Sequence, residues 1–313
     1  MSKLNFRKII IRLFLFLILI IIGFFVTIPL LIMKSQLHKH VNFAKTWKAE
    51  DFGLEATHFF VKTNDGLKIS AYEVTVEHPK AVIICISGIE NPSATIFFGH
   101  ANFFREHGYA TILFDMRAHG ESDGDMICCG FKEYLDTKAI VKYIKENPLY
   151  NNVPIVVFGL SMGGVVAINS TGEIPEIKGL ISLSAFSSWE DIFYENMVKG
   201  SPKILAAIER PFTTLDAMVK FGIKSCHVSP KREIGKLGNR PALLMHTKGD
   251  SQVSFNNFKR ILSNAPSQVE TFTREGDLHF VVLDNKFEEP KKDVEYSEKI
   301  MHFLDKNFGD KPK

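Results

Sequence analysis

Four cysteines in 313 residues are too few for a disulfide scaffold. An excess of one charge is also lacking, since 38 Lys and Arg stand against 35 Asp and Glu, a net charge of +3. No basic stripe with interleaved aromatics is present, which argues against a nucleic-acid partner. No H-x-x-x-H or C-x-x-C pair offers metal-ligand spacing, and no G-x-x-x-x-G-K-[ST] loop offers a phosphate cradle. The sequence therefore implies no metal and no cofactor. Beyond residue 33 there is no apolar run long enough to cross a bilayer, which excludes a polytopic membrane protein. With 45% hydrophobic residues and little net charge, most of the chain is not disordered.

What is present begins with one apolar run, LFLFLILIIIGFFVTIPLLIM, residues 13–33, which carries no charge. As a helix it is about 31 Å long, enough for the hydrocarbon core. It reads as an uncleaved signal anchor rather than a cleavable signal peptide, because it is long and Lys34-Ser35-Gln36 follows it in place of a small-x-small site. Residues 1–12 form a basic segment and 34–55 a polar stalk. Lys3, Arg7, Lys8 and Arg12 before the span are matched by Lys34, Lys39, Lys45 and Lys48 after it, so charge alone does not orient it. A short basic N-terminus before a first apolar segment reads as N-terminus in the cytoplasm, with the large domain facing outward. Cys85, Cys128, Cys129 and Cys226 do not settle the redox compartment.

The rest, residues 56–308, alternates short apolar runs with helical stretches. Strands are expected at 58–62, 68–76, 81–87, 110–114, 154–158, 179–183, 241–246 and 269–273. Runs such as AVIICI and IVVFG are those of strands buried on both faces of a parallel sheet. The first two lack an intervening helix and read as an antiparallel hairpin through Asn64-Asp65-Gly66. The pattern is that of a mostly parallel, doubly wound α/β sheet. Residues 185–238 break the rhythm without a clear buried strand, and an insertion of this size reads as a short helical lid.

Gly159-Leu160-Ser161-Met162-Gly163 follows the apolar strand IVVF and opens a helical run. This is the context of a G-x-S-x-G elbow, in which a serine sits on a strained strand-to-helix turn and small residues let strand and helix pack closely. The plain alternative is a glycine-rich turn with a surface serine. A serine nucleophile needs a base, and on such a fold the order is serine, acid, histidine. Of the downstream histidines, His246 ends a core strand and His302 lies inside the last helix. His279, in the loop Glu275-Gly276-Asp277-Leu278-His279-Phe280, is the expected base. Asp250, in the turn after Ala242–His246, is the expected acid, with Asp277 and Asp284 as rivals and a helix N-cap as its plain alternative. An oxyanion hole needs two backbone N–H groups. Met162, after the serine, and Ile89, in the loop Ser87-Gly88-Ile89-Glu90-Asn91, are the expected donors.

Together these residues resemble the α/β-hydrolase superfamily, and most its monoacylglycerol-lipase-like and serine-aminopeptidase-like esterase branch, membrane-anchored bacterial members included. Phe114-Asp115-Met116-Arg117-Ala118-His119-Gly120-Glu121-Ser122 is similar to that branch's D-x-R-G-x-G-x-S turn, Ser184–Ser188 to its lid entry, and His246–Asp250 to its His-to-Asp spacing. Ser87-Gly88 stands where the branch has His-Gly, and Ala118 where it has glycine. Asp115, Arg117 and His119 read as ties between loops. The resemblance implies a membrane-anchored serine hydrolase acting on an ester or thioester through Ser161, His279 and Asp250. Phe186, Trp189, Phe193, Tyr194 and Phe212 in the lid suit an apolar acyl chain or merely pack the lid. The alternatives are an acyltransferase with the same triad and a non-catalytic binding protein on a hydrolase fold.

Overall fold

The computed structural model describes residues 3–90 and 92–309. Residues 1 and 2 of the basic segment and Asn91 of the loop after Ser87 lie outside the described residues. A single helix, α1 (Lys3–Leu37), leads into an eight-stranded sheet made of β1 (Thr57–Lys62), β2 (Lys68–Val74), β3 (Val82–Ile86), β4 (Ala110–Phe114), β5 (Ile155–Leu160), β6 (Ile177–Leu183), β7 (Ala242–Thr247) and β8 (Glu270–Arg274). The sheet order is β1-β2-β4-β3-β5-β6-β7-β8. β1 and β2 pair antiparallel, as do β2 and β4, and every later pair is parallel. The expected doubly wound sheet is observed, with the Asn64-Asp65-Gly66 hairpin between its first two strands.

Helices α2 (Phe98–Glu106), α3 (Tyr134–Glu146), α4 (Met162–Glu173), α8 (Phe255–Leu262) and α9 (Val294–Phe308) cover the sheet. Between β6 and β7 stand α5 (Trp189–Gly200), α6 (Lys203–Phe221) and the single turn α7 (Pro230–Glu233). Successive side chains of a strand face opposite ways, so each central strand feeds two cores. Ile84, Val157, Leu180 and Leu244 pack with Ile140, Val165 and Phe258 on one face. Cys85, Phe158, Ile181 and Met245 pack with Phe104, Tyr296 and Phe303 on the other.

Two features of this frame bear on function. The chain runs from β3 outward to β4 and returns to β5 on the other side of β3. The loops after β3 and β5 therefore part at the topological switch point, where open α/β sheets form their crevice. The turn after β4 is locked from below. Buried Arg117 gives Nη2 to Asp136 Oδ1 at 2.7 Å and Nη1 to Asp65 Oδ2 at 2.8 Å. Ala118 takes a φ of 63°, the left-handed region that a glycine would enter at lower cost. The reading of Arg117 as a tie between loops fits these contacts.

The segment after α1 does not stand off as a free stalk. Leu37 is fully buried, and Val41, Ala49 and Leu54 are buried too. The backbone is stitched to the loop after β4, with Val41 N–H donating to Ala118 O at 2.8 Å and Gly120 N–H to Val41 O at 2.9 Å. Ile127 N–H donates to Leu37 O at 2.8 Å. Polar composition suggested a spacer, but a few well-placed apolar residues among the lysines and histidines are enough to dock it.

Candidate active site

Ser161 sits between the last residue of β5 and the first of α4, with φ 57° and ψ −119°. That conformation is costly for a residue with a Cβ and is held only by its surroundings. Its N–H donates to Leu183 O at 2.8 Å, and its carbonyl accepts Val165 N–H at 3.1 Å. The flanking glycines are sterically required. A Cβ on Gly159 would lie 2.0 Å from Gly163 O, and one on Gly163 would lie 2.2 Å from Ile86 O. Only bare backbone lets α4 come this close to β3 and β5.

His279 and Asp250 reach the same place from the far half of the sheet. Asp250, in the turn after β7, is buried, and its Oδ2 accepts His279 Nδ1–H at 2.8 Å. Its Oδ1 accepts the N–H groups of Gln252 and Val253, each at 2.9 Å. Burial pushes the Asp250 carboxyl up, but the His279 hydrogen bond and charge with the backbone donors outweigh it, and its pKa lies below the usual carboxylate value. An acceptor at Nδ1 fixes the His279 tautomer and leaves Nε2 with its lone pair free, the form of a general base.

The rivals fall elsewhere. Asp277 Oδ1 accepts Ser251 N–H at 2.8 Å and so ties the β7 turn down. Asp284 is exposed in the short turn Leu283–Asn285, and His302 is exposed on α9. His246, on β7 as expected, stands beside the acid. It donates Nε2–H to Val253 O at 2.8 Å and stands 3.6 Å from Asp250 Oδ2. Burial lowers its pKa, so it is a neutral prop for the acid's turn.

Ser161, His279 and Ile89 line one cavity of ≈ 560 Å³ together with Phe186, Trp189 and Ile192. Among the described residues Ser161 Oγ has no hydrogen-bond partner. Two nearby N–H groups are already used, that of Ser161 by Leu183 O and that of Glu90 by His119 Nε2 at 3.2 Å. Met162 N–H, in the first turn of α4, has no partner within the helix, and Ile89 precedes Glu90 in the same loop. His119 holds that loop by donating Nδ1–H to Arg117 O at 2.8 Å while Nε2 accepts, and burial keeps its pKa low. Of the expected lid aromatics, Phe186 and Trp189 face the cavity and Phe193 is buried.

Sequence reasoning missed the contribution of α1. Gln36 and Leu37, its last two residues, line the cavity. Lys39 pairs with Glu90 beside Ile89. Phe6–Ile28 within α1 is long and apolar enough to cross a membrane, and none of it is buried by the rest of the chain. No group of three or more His, Cys, Asp or Glu is placed to hold a metal among the described residues.

A family model described as serine aminopeptidase, S33, matches residues 77–220. The chain is similar to an uncharacterized Bacillus subtilis (strain 168) protein, YqkD, with 23% identity over 261 residues, covering 82% of this chain and 81% of the other. It is also similar to the polyketide transferase grgF of a Penicillium species, with 33% identity over 126 residues, covering 39% of this chain and 42% of that one. Among solved structures, an esterase of Pyrococcus furiosus matches with a TM-score of 0.66 and 23% identity, over 87% of this chain and 100% of that one. By its sheet and its likeness to this solved structure, the chain has the α/β-hydrolase fold.

The acid–histidine pair sets a pH dependence. A carboxyl whose folded pKa is depressed stabilises the fold above its unfolded value of about 3.9, and that stability is lost as pH falls through the folded value. The stability gap between wild type and Asp250→Asn, measured by denaturant melts, is therefore expected to be widest near neutral pH and to shrink below about pH 4. A gap that does not change with pH would mean that the Asp250 charge contributes nothing.

Proposed function

We propose that the protein is a membrane-anchored serine hydrolase that cleaves an ester or thioester through Ser161, His279 and Asp250. The observation that carries this reading is the convergence on one cavity. A serine on a strained elbow and a histidine whose Nδ1 is held by a buried carboxylate both open onto it. Ser161 Oγ attacks the acyl carbon and His279 Nε2 takes its proton. The N–H groups of Ile89 and Met162 receive the oxyanion. His279 then protonates the leaving alcohol or thiol, leaving an acyl-enzyme. Water, deprotonated by His279, attacks that ester and releases the acid and the free serine. Asp250 stabilises the imidazolium throughout. Phe186, Trp189 and Ile192 give the cavity an apolar wall suited to an acyl chain.

The likeness to a polyketide transferase supports a second reading, in which the acyl-enzyme is released by an acceptor other than water. Product analysis with competing alcohols separates the two. Hydrolysis alone, at every alcohol concentration, removes the transferase reading.

On a panel of acyl esters, Ser161→Ala is expected to lose about 10⁴-fold or more in kcat, with an unchanged melting temperature. His279→Ala should fall within about tenfold of Ser161→Ala, because the two act as one unit, and Asp250→Asn should lose somewhat less. More than about 1% residual activity in pure Ser161→Ala would remove the nucleophile assignment.

We further propose that the uncharged run 13–33, which overlaps the candidate span Phe6–Ile28, is an uncleaved anchor with the N-terminus in the cytoplasm. Protease added to intact cells or spheroplasts should then digest the hydrolase portion. Complete protection until lysis reverses the orientation.

A further inference from the structure

We propose that the outer face of α6 is a membrane-docking surface, seated on the bilayer that α1 crosses. α6 buries Ala206 and Ala217 but leaves its larger aliphatic residues on the outer face. Glu209, Thr213 and Asp216 are buried on its inner side, and Asp216 pairs there with Lys220 at 3.4 Å. Ile204, Ile208, Leu215 and Val219 stand outward, followed by Ile223 just past the helix end. Their surfaces are 74%, 42%, 48%, 74% and 72% exposed. Their spacing places the helical residues on a single stripe. A lid that only covered a pocket in water would turn these aliphatics inward. A row of bare aliphatic side chains along a 19-residue helix is the face that interfacial helices present to lipid. Exposed Lys203 and Lys224 bracket the stripe, with stems long enough to carry their charge to headgroup level.

The position of α1 identifies what covers the stripe. α1 packs against α6. It also continues without a break from the apolar span Phe6–Ile28 to Leu37, which is fully buried in the hydrolase core. At 1.5 Å per residue, the end of the uncharged run at residue 33 and Leu37 are about 6 Å apart along the helix. An element packed beside α1 at that distance lies at the membrane–water boundary, and its exposed apolar face has hydrocarbon within reach. The docking face thus rests on the reading of α1 as an anchor. It also sharpens the reading of the substrate. α6 packs on α5, which supplies Trp189 and Ile192 to the cavity, and Gln36 and Leu37 supply another wall. The cavity therefore sits beside the lipid surface, placed to take acyl esters held in the bilayer.

The test uses the full-length protein in nanodiscs of phosphatidylcholine and phosphatidylglycerol. A benzophenone photocrosslinker is placed at Val219, at Phe16 in the apolar span, or at exposed Lys178 at the end of the sheet opposite Ser161. Lipid adducts read by mass spectrometry are expected at Phe16 and Val219, with Lys178 at least about tenfold lower. Adducts at Phe16 but not at Val219, or crosslinks from Val219 to a second copy of the chain instead of lipid, overturn the docking face and leave the anchor standing. No adduct at Phe16 overturns the anchor reading, and the docking face with it. A second readout uses the double variant Ile208→Glu, Val219→Glu. Hydrolysis of an ester embedded in vesicles should fall about tenfold, while a soluble short-chain ester is cleaved at the wild-type rate. Equal rates on both substrates, or equal loss on both, would contradict the proposal.

Discussion

The site depends on one close approach, that of the first turn of α4 to the backbone of β3 and β5. A Cβ on Gly163 would lie 2.2 Å from Ile86 O and 2.3 Å from Ser87 O, and no relaxation of a flexible side chain could relieve a clash with backbone. With glycine there, the turn closes tightly enough to force Ser161 to a positive φ. The helix start and the loop after β3 are then brought against one another. The same contact that strains the serine therefore sets the two N–H groups proposed for the oxyanion hole on either side of it. The energy stored in that turn is offset by the sheet around it, whose central strands are buried on both faces.

Around this turn the supporting parts are arranged in sequence. Arg117 binds Asp136 and Asp65 and fixes the loop after β4. His119 passes that rigidity to Glu90, and Lys39 grips Glu90 from the other side. The loop proposed to hold one oxyanion donor is thus braced both by the core and by the segment that leaves α1. On the opposite wall, Asp250 is held by the turn of Gln252 and Val253, and His246 props that turn. The end of α1 lines the cavity, and Lys39 just beyond it holds the loop after β3, so α1 is packed into the rest of the chain.

Much of this was legible in the sequence, and the limits have physical reasons. The strands were readable because both of their faces are buried, which leaves unbroken apolar runs such as VIICI and IVVF. The elbow was readable because its steric demand can be met by glycine alone, and the Asp250–His279 pairing because each follows a strand end. The docking of residues 34–55 was not legible, since Leu37, Val41, Ala49 and Leu54 are scattered among lysines and histidines and show no period. The role of Lys39 and Glu90 could not be read either, because an ion pair between residues 51 positions apart leaves no local pattern. The outward aliphatic stripe of α6 was visible only as a helical stretch, since periodicity does not say which side faces the core.

The central claim is that Ser161 is a nucleophile activated by His279. Its most direct test is the intact mass and peptide map of the folded protein after treatment with a fluorophosphonate. The account predicts one covalent adduct, on Ser161, formed in wild type and lost in His279→Ala. Labelling of a different residue, or a natively folded protein that takes no label, would contradict it.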